Sequence, residues 1–295
     1  MPITAHTRDS AARHVVHLAA RMREARLGLT EGPGVSGIPR GSDVHLSNAY
    51  TLALADRDPE LLGILRSAAL NLPDGQPVVW ANRLLHRGAT LPDTRVYGPD
   101  LFLDVFALSQ HTELNHYLLG STPQVLDALH RELGRRYPGA RIVGTCSPPF
   151  RPPTVHERRQ RVEEIRSAAA DIVWVGLGTP KQDRWAAELC DDLPLVAVAV
   201  GAAFDFVAGN KPQAPHWMRH NGLEWLFRLG CEPRRLWRRY LFGNARFVHG
   251  VVRQAARPVR ADGGAARRAA SDHLNSGRLV GQGRENPDIV PKVRP

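Results

Sequence analysis

The sequence predicts an α/β protein: a Rossmann-like, mainly parallel sheet with helices on both faces, followed by a basic amphipathic C-terminal helical appendage. Three observations predict it. Short apolar runs alternate with helix-period segments through the middle of the chain, the pattern that βαβ units leave. Runs such as Ile172–Val175 are apolar at consecutive positions, as strands buried on both faces require. From Glu232-Pro233 onward, apolar residues and arginines recur on two offset faces of one long helical stretch.

Residues 1–40 read as a flexible leader, helical between Ala11 and Leu27, ending in a segment with Gly32, Pro33, Gly34 and Gly37 that breaks regular structure. Residues 41–230 form the Rossmann-like domain. Its expected strands are Val44–Ser47, Thr94–Tyr97, His116–Leu119, Ala140–Thr145, Ile172–Val175 and Leu195–Val200. The helices expected between them are Pro59–Leu70, Pro77–Leu85, Asp100–Gln110, Pro123–Arg136, Val155–Ala169 and Lys181–Leu193. Residues 231–256 make the basic helix. Residues 257–295, polar and Arg/Gly-rich, read as a disordered tail.

With 295 residues and 43% hydrophobic content, the chain has material for one large core plus tails. Its formal charge of +10 points to an anionic partner: nucleic acid, acidic lipid or a phosphorylated substrate. The most apolar run, Leu195 to Phe204, is far shorter than the roughly 20 residues a spanning helix needs. Met1 to Arg26 carries His and Arg where a signal peptide has an apolar core. Cys146, Cys190 and Cys231 lack CxxC spacing, which argues for a reducing cytoplasm and against disulfides or zinc. The histidines include no HExxH motif, and no metal or cofactor is expected.

Ligands of such sheets collect beyond the carboxyl ends of strands, so the residues there are the candidates. Asn48-Ala49-Tyr50-Thr51 offers an amide and a hydroxyl that either hold a sugar or base or cap the next helix. Asp74 sits between Pro73 and Gly75 on a fixed turn, suited to a general base; an ordinary Pro-Asp-Gly turn is the plainer reading. Arg95 and Asp100 flank a turn at Gly98, where Asp100 serves either a ligand or the helix that follows. Leu119-Gly120-Ser121-Thr122-Pro123 and the run from Val175 through Gly176, Gly178 and Lys181 to Gln182 are strand–Gly–helix turns, which favour phosphate. Neither completes GxGxxG or a Walker loop, so a nicotinamide-dependent sugar-nucleotide epimerase or dehydrogenase lacks its main fingerprint. Asp56-Arg57-Asp58 spells a DxD metal pattern, but Asp58 before Pro59 reads better as a helix cap. Asp205, between Phe204 and Phe206, serves either to orient a ligand or to pair with a cation.

In the last helix Leu236, Trp237, Tyr240, Leu241, Phe247, Val248, Val251 and Val252 form an apolar stripe. Arg234, Arg235, Arg238, Arg239, Arg246 and Arg253 lie offset from it, and no acid appears between Glu232 and Asp262. A purely solvated face normally mixes acids with bases; this one fits anionic lipid or a diphosphate. Each basic residue near such a surface contributes on the order of 1 kcal/mol. Nucleic-acid binding is the weaker reading, because Trp237, Tyr240 and Phe247 share the apolar stripe instead of forming a base-stacking platform.

Taken in order, these motifs resemble the WecG/TagA/CpsF family of bacterial glycosyltransferases over roughly residues 44–247. The carriers are Asn48 to Thr51, Pro73-Asp74-Gly75, Arg95 to Asp100, and Val175 to Gln182. They continue with Gly201 to Asp205, Gly209, Ala214-Pro215, Trp217-Met218, Gly222 to Trp225, Arg228, and Glu232 to Leu236 with Arg239-Tyr240. The resemblance implies a metal-independent, inverting transfer. The donor would be UDP-N-acetylmannosamine or its uronic acid, and the acceptor undecaprenyl-diphosphate-linked N-acetylglucosamine, in cell-surface polysaccharide synthesis. It implies Asp74 as base, with Asn48, Thr51, Arg95, Gly98, Asp100, Gly176, Gly178, Gln182 and Asp205 around the substrates. Arg228, Arg235, Arg238 and Arg239 would face diphosphate and membrane, on the cytoplasmic side of the cell membrane. Oligomeric state stays open, a homo-oligomer included. Asp183 stands where the family commonly has Glu, and Leu46 where many members have Thr.

Overall fold

The computed structural model describes residues 3–29, 39–86, 89 and 91–256. Their strands are β1 (Ser42–Ser47), β2 (Leu70–Pro73), β3 (Asn115–Gly120), β4 (Arg141–Cys146), β5 (Ile172–Gly176) and β6 (Val196–Ala199). The longer helices are α1 (Arg8–Arg26), α2 (Ala49–Ala55), α3 (Pro59–Ser67), α4 (Gln76–Leu85), α5 (Gly98–Ser109), α6 (Pro123–Arg136), α7 (Val155–Ser167) and α8 (Lys181–Asp192). After β6 come α9 (Ala203–Val207), α10 (His216–His220), α11 (Glu224–Cys231) and α12 (Pro233–Ala255).

The strands form one sheet in the order β2-β1-β6-β5-β3-β4, with every neighbouring pair parallel. The expected α/β fold is therefore present. Alternation along the central strands divides the core: Ile172, Trp174, Val196 and Val198 pack under α1, α5, α6 and α9, whereas Val173, Val175, Ala197 and Ala199 pack under α7 and α8. A third cluster joins α2, α3 and α4 to α12 through Leu52, Leu61, Leu65, Val78 and Phe247.

Three expectations change. The expected helix Pro59–Leu70 stops at Ser67, and Leu70–Pro73 becomes β2. Leu70 and Leu72 continue the apolar spacing of Leu61 and Leu65, which hides the change of period. Thr94–Tyr97 is not a strand; Val96 donates one backbone bond to Pro73 O at 2.8 Å before Gly98-Pro99 open α5. The flexible leader gives way to a docked helix over Arg8–Arg26, with Ala11, Ala12, Val15 and Ala19 buried in the core. The Gly/Pro-rich segment at 32–37 and the tail at 257–295 lie outside the described residues.

Helix α1 is pinned at its end by Asp171, which is fully buried. Asp171 Oδ1 accepts from Arg26 at 2.6 Å, and Oδ2 accepts from Arg23 at 3.1 Å and from the Asn115 amide at 2.8 Å. Asp171→Ala leaves all three donors without their acceptor. It should destabilise the protein by about 3 kcal/mol, the lower part of the range for a broken buried pair because both arginines can rehydrate. A urea midpoint that falls at unchanged slope is the expected readout. Ahead of α1, Thr4 covers the sheet edge. Its amide donates to Asn71 O at 2.8 Å, and its hydroxyl accepts from Asn71 N at 2.9 Å.

Candidate active site

The connection after β3 runs outward to β4, whereas that after β5 runs back to β6, so a crevice opens between β3 and β5 at their carboxyl ends. Its floor is two glycines in register. A Cβ on Gly120 (φ +131°) would come within 2.5 Å of Gly176 O, and one on Gly176 within 2.9 Å of the Phe204 ring. From this crevice a cleft of about 910 Å³ extends across the strand ends to β1 and β2, walled by the loop before α7 and by residues of α11 and α12.

At the β2 end stands Asp74, partly open to the cleft. Oδ1 accepts from the Gly98 amide at 3.0 Å, and its backbone oxygen accepts from Arg95 Nη1 at 3.2 Å. Burial holds the carboxyl above its usual range; Arg95 opposes that shift and Glu224 adds to it. Arg95 forms a 2.8 Å ion pair with Glu224 and lies 4.4 Å from the centre of the Tyr97 ring. Tyr97 is buried with its hydroxyl unpartnered, and burial, Glu224 and Asp74 together raise its ionisation well above the ordinary.

Facing Asp74 are arginines from the last two helices. Arg228 lies 5.4 Å from the Phe206 ring and Arg239 4.3 Å from the Tyr50 ring; both line the cleft with Arg235. Arg239 Nε is buried without a hydrogen-bond acceptor. Burial pulls Arg239 below the usual arginine range, and neighbouring Arg228 pulls the same way. Two guanidiniums held close with an N–H unpaired make a place where an anion is favoured. Gly243, whose absent Cβ leaves room for the Tyr50 ring, lets α12 press against α2 and carry Arg239 inward.

The Gly176–Thr179 turn enters α8. Gly178 (φ +77°) donates its amide to Gln182 Oε1 at 3.0 Å, so Gln182 braces the loop from inside. Beside it, fully buried His45 spans two carboxylates, with Nε2 at 2.9 Å from Asp43 and Nδ1 at 3.0 Å from Asp183. Burial alone would lower the imidazole, but Asp183 and Asp43 outweigh it and push it up to about 9. A folded-state value above the unfolded 6.5 gives stability that is complete below pH 6.5 and lost as pH rises through 9. The melting temperature should therefore fall between pH 6.5 and 9.5 in the parent protein. In His45→Gln it should start lower and lose that slope; an equal slope in both would remove His45 from the account.

Of the residues singled out from the sequence, Asn48, Asp74, Gly98, Gly176, Gly178, Gln182, Asp205, Arg228, Arg235 and Arg239 line one cleft. Asn48 also caps α2, accepting from Tyr50 N and Thr51 N at 3.1 and 3.2 Å. Arg95 stands behind Asp74 instead of in the lining. Thr51 is buried outside the lining, with its hydroxyl donating to Asn48 Oδ1 at 3.4 Å. Asp100 is drawn off by Arg8 at 3.1 Å on the α1 side, and Arg238 lies 5.1 Å from the Trp237 ring outside the cleft. Asp58 caps α3 and pairs with Arg184, and Asp56 pairs with Arg253.

Sequence reasoning missed the His45 triad and gave no role to Tyr97, Glu224 or Lys211. The spacing of His216 and His220, four apart in α10, went unread too. Among the described residues no group of three or more His, Cys, Asp or Glu is arranged to hold a metal, and no helix among them is long and apolar enough to cross a membrane.

A family model described as Glycosyl transferase WecG/TagA/CpsF matches residues 37–261. Two relatives carry the name N-acetylglucosaminyldiphosphoundecaprenol N-acetyl-beta-D-mannosaminyltransferase. The one from Bacillus subtilis (strain 168) is 28% identical over 202 residues, covering 68% of this chain and 75% of the relative. The one from Bacillus spizizenii is 31% identical over 188 residues, covering 63% of this chain and 70% of the relative.

Proposed function

The chain belongs to the Glycosyl transferase WecG/TagA/CpsF family, and from that premise we propose that it moves an N-acetylmannosamine-type sugar from UDP to an undecaprenyl-diphosphate-linked N-acetylglucosamine. The observation that carries this reading is a carboxylate of raised basicity in the same cleft as three arginines of α11 and α12, one of which, Arg239, has a buried N–H without an acceptor. Asp74 takes the proton from the acceptor hydroxyl. The oxygen bonds to the anomeric carbon as the carbon–oxygen bond to UDP breaks, and one displacement inverts that carbon. Arg228, Arg239 and Arg235 take up the charge that gathers on the departing diphosphate, a role that elsewhere falls to a divalent metal. Glu224, Asp205 and Glu188, the other carboxylates of the cleft, are tied to Arg95, to Asn210 and Lys211, and to Arg158, which favours a single base over a nucleophile.

Peripheral attachment to the inner face of the membrane fits the last helix. Leu236, Tyr240 and Phe247 turn inward, whereas Trp237, Leu241, Val248 and Val252 stay exposed beside Arg234, Arg238 and Arg246. The apolar arc is wider than α2 and α4 cover, and a lipid surface accounts for the remainder.

The test is UDP release by purified protein with a panel of UDP-sugars and a short-chain lipid-diphosphate N-acetylglucosamine, with and without chelator. Acceptor-dependent release that survives chelator is expected. No release with any donor overturns the substrate assignment, and chelator sensitivity overturns metal independence. Cosedimentation with anionic but not neutral vesicles checks the membrane part.

A further inference from the structure

The pair behind Asp74 has a feature that the transfer step does not use. Arg95 and Glu224 lie 129 positions apart in sequence, one in the loop after α4 and the other at the start of α11. Their side chains are only 14% and 12% exposed. One guanidinium nitrogen, Arg95 Nη1, is 2.8 Å from Glu224 Oε2 and 3.2 Å from the backbone oxygen of Asp74. The contact with Glu224 is a close ion pair without hydrogen-bond alignment, since Oε2 accepts no well-directed bond. Tyr97 lies against the same guanidinium, 4.4 Å from ring centre to Arg95, with Arg219 5.6 Å from that centre. The next residue, Gly98, donates its amide to Asp74 Oδ1. Asp74, Arg95, Tyr97 and Gly98 thus form a closed frame, and Glu224 is the member that belongs to α11.

We propose that Glu224 is a positioning residue for Asp74: through its ion pair with Arg95, whose Nη1 also reaches the backbone oxygen of Asp74, it fastens α11 to the end of β2 and sets a carboxylate beside the Asp74 turn. The inference rests on the proposed role of Asp74 as base. Its consequence is that one event arms both halves of the site. The seating that carries Arg228 and Arg239 to the cleft also delivers the charge that tunes the carboxylate opposite them. A base made strong only when the diphosphate-binding helices are in place does not ionise water or acceptor in a half-built site.

The groups that face Asp74 set the sign of the effect. Arg95 from the loop and Arg228 from α11 favour its ionised form, Glu224 from α11 opposes it, and Tyr97 stays neutral. Removing the Glu224 charge should therefore make Asp74 a stronger acid, and removing the Arg95 charge a weaker one.

The experiment is a carboxyl-carbon NMR titration of protein labelled at aspartate, with Asp74→Asn to assign the resonance. It is run beside kcat/KM against pH. In Glu224→Gln the Asp74 midpoint should fall by about half a pH unit or more, and the acid limb of kcat/KM should move with it. Glu224→Asp restores the charge and should bring both back toward the parent value. Arg95→Gln should move the midpoint upward, which keeps the inference testable if Glu224→Gln does not fold. A midpoint unmoved in Glu224→Gln and Arg95→Gln overturns it, even where activity drops. The titration needs no turnover, so it separates the two readings. A moved midpoint with no UDP release keeps the coupling and removes the transfer; UDP release with an unmoved midpoint does the reverse.

Discussion

Asp74→Asn should fold, bind donor and turn over at least ~100-fold more slowly, the loss expected when a general base is removed. Asparagine can present the same oxygen to the Gly98 amide, so the turn after β2 survives and the effect is confined to proton transfer. The parent enzyme should lose kcat/KM as pH falls, with a midpoint above the usual carboxylate range, because burial and Glu224 favour the protonated acid and a base acts only when ionised. The variant should show no such limb. Near-normal turnover in Asp74→Asn, with donor affinity intact, would take Asp74 out of the mechanism and turn attention to Asp205.

Arg239→Ala should cost about 100-fold in kcat and a similar factor in kcat/KM, the scale for one preorganised charge aimed at a developing anion. Its Nε is buried and lacks an acceptor, so the free enzyme bears a cost that only an arriving anion relieves. An interaction realised late in the reaction lowers kcat and kcat/KM together; one made equally with bound substrate would raise KM alone. Arg239→Lys keeps the charge but loses the planar contact with Tyr50, and should fall between. Arg228→Ala should behave alike, and the double variant should lose less than the product of the singles, since two groups that share one anion do not act independently. Full additivity would mean that the two do not share one anion.

The sheet was legible in the sequence wherever burial on both faces erased alternation, as in Ile172–Val175 and Val196–Ala199. It was illegible where a local signal carried two meanings. Leu70 reads as the end of a helix because it follows Leu61 and Leu65, and the residues up to Pro73 as the approach to a turn; only the pairing of β2 with β1 settles it. Arg95-Val96-Tyr97 has strand-like residues but makes a single backbone bond to β2. The cleft follows the same rule. Asp74 and Gly178 were readable because each sits on a turn at the end of a strand, and Gln182 because it opens the helix that follows the Gly176–Thr179 turn. Asp100 looked equivalent, and it is the α1 residue Arg8, 92 positions away, that claims it. Glu224 and His45 were unreadable in roles of their own, because Arg95 and Asp183 are far off in sequence, and Asp43, two positions from His45, looks like any polar neighbour in a strand. Nothing local marks a buried ion pair.

The bonds between Thr4 and Asn71 bear on how the protein is best handled. Asn71 is the second residue of β2 and stands three before Asp74, about 10 Å on an extended chain, so the first described residues lie against the outer edge of β2. A purification tag or fusion partner joined to the N-terminus is therefore tethered within a few residues of the β2 edge of the sheet. One attached after residue 295 is separated from α12 by about forty residues of chain. Assays of substrate range are therefore better made with C-terminal tags, or with N-terminal tags removed.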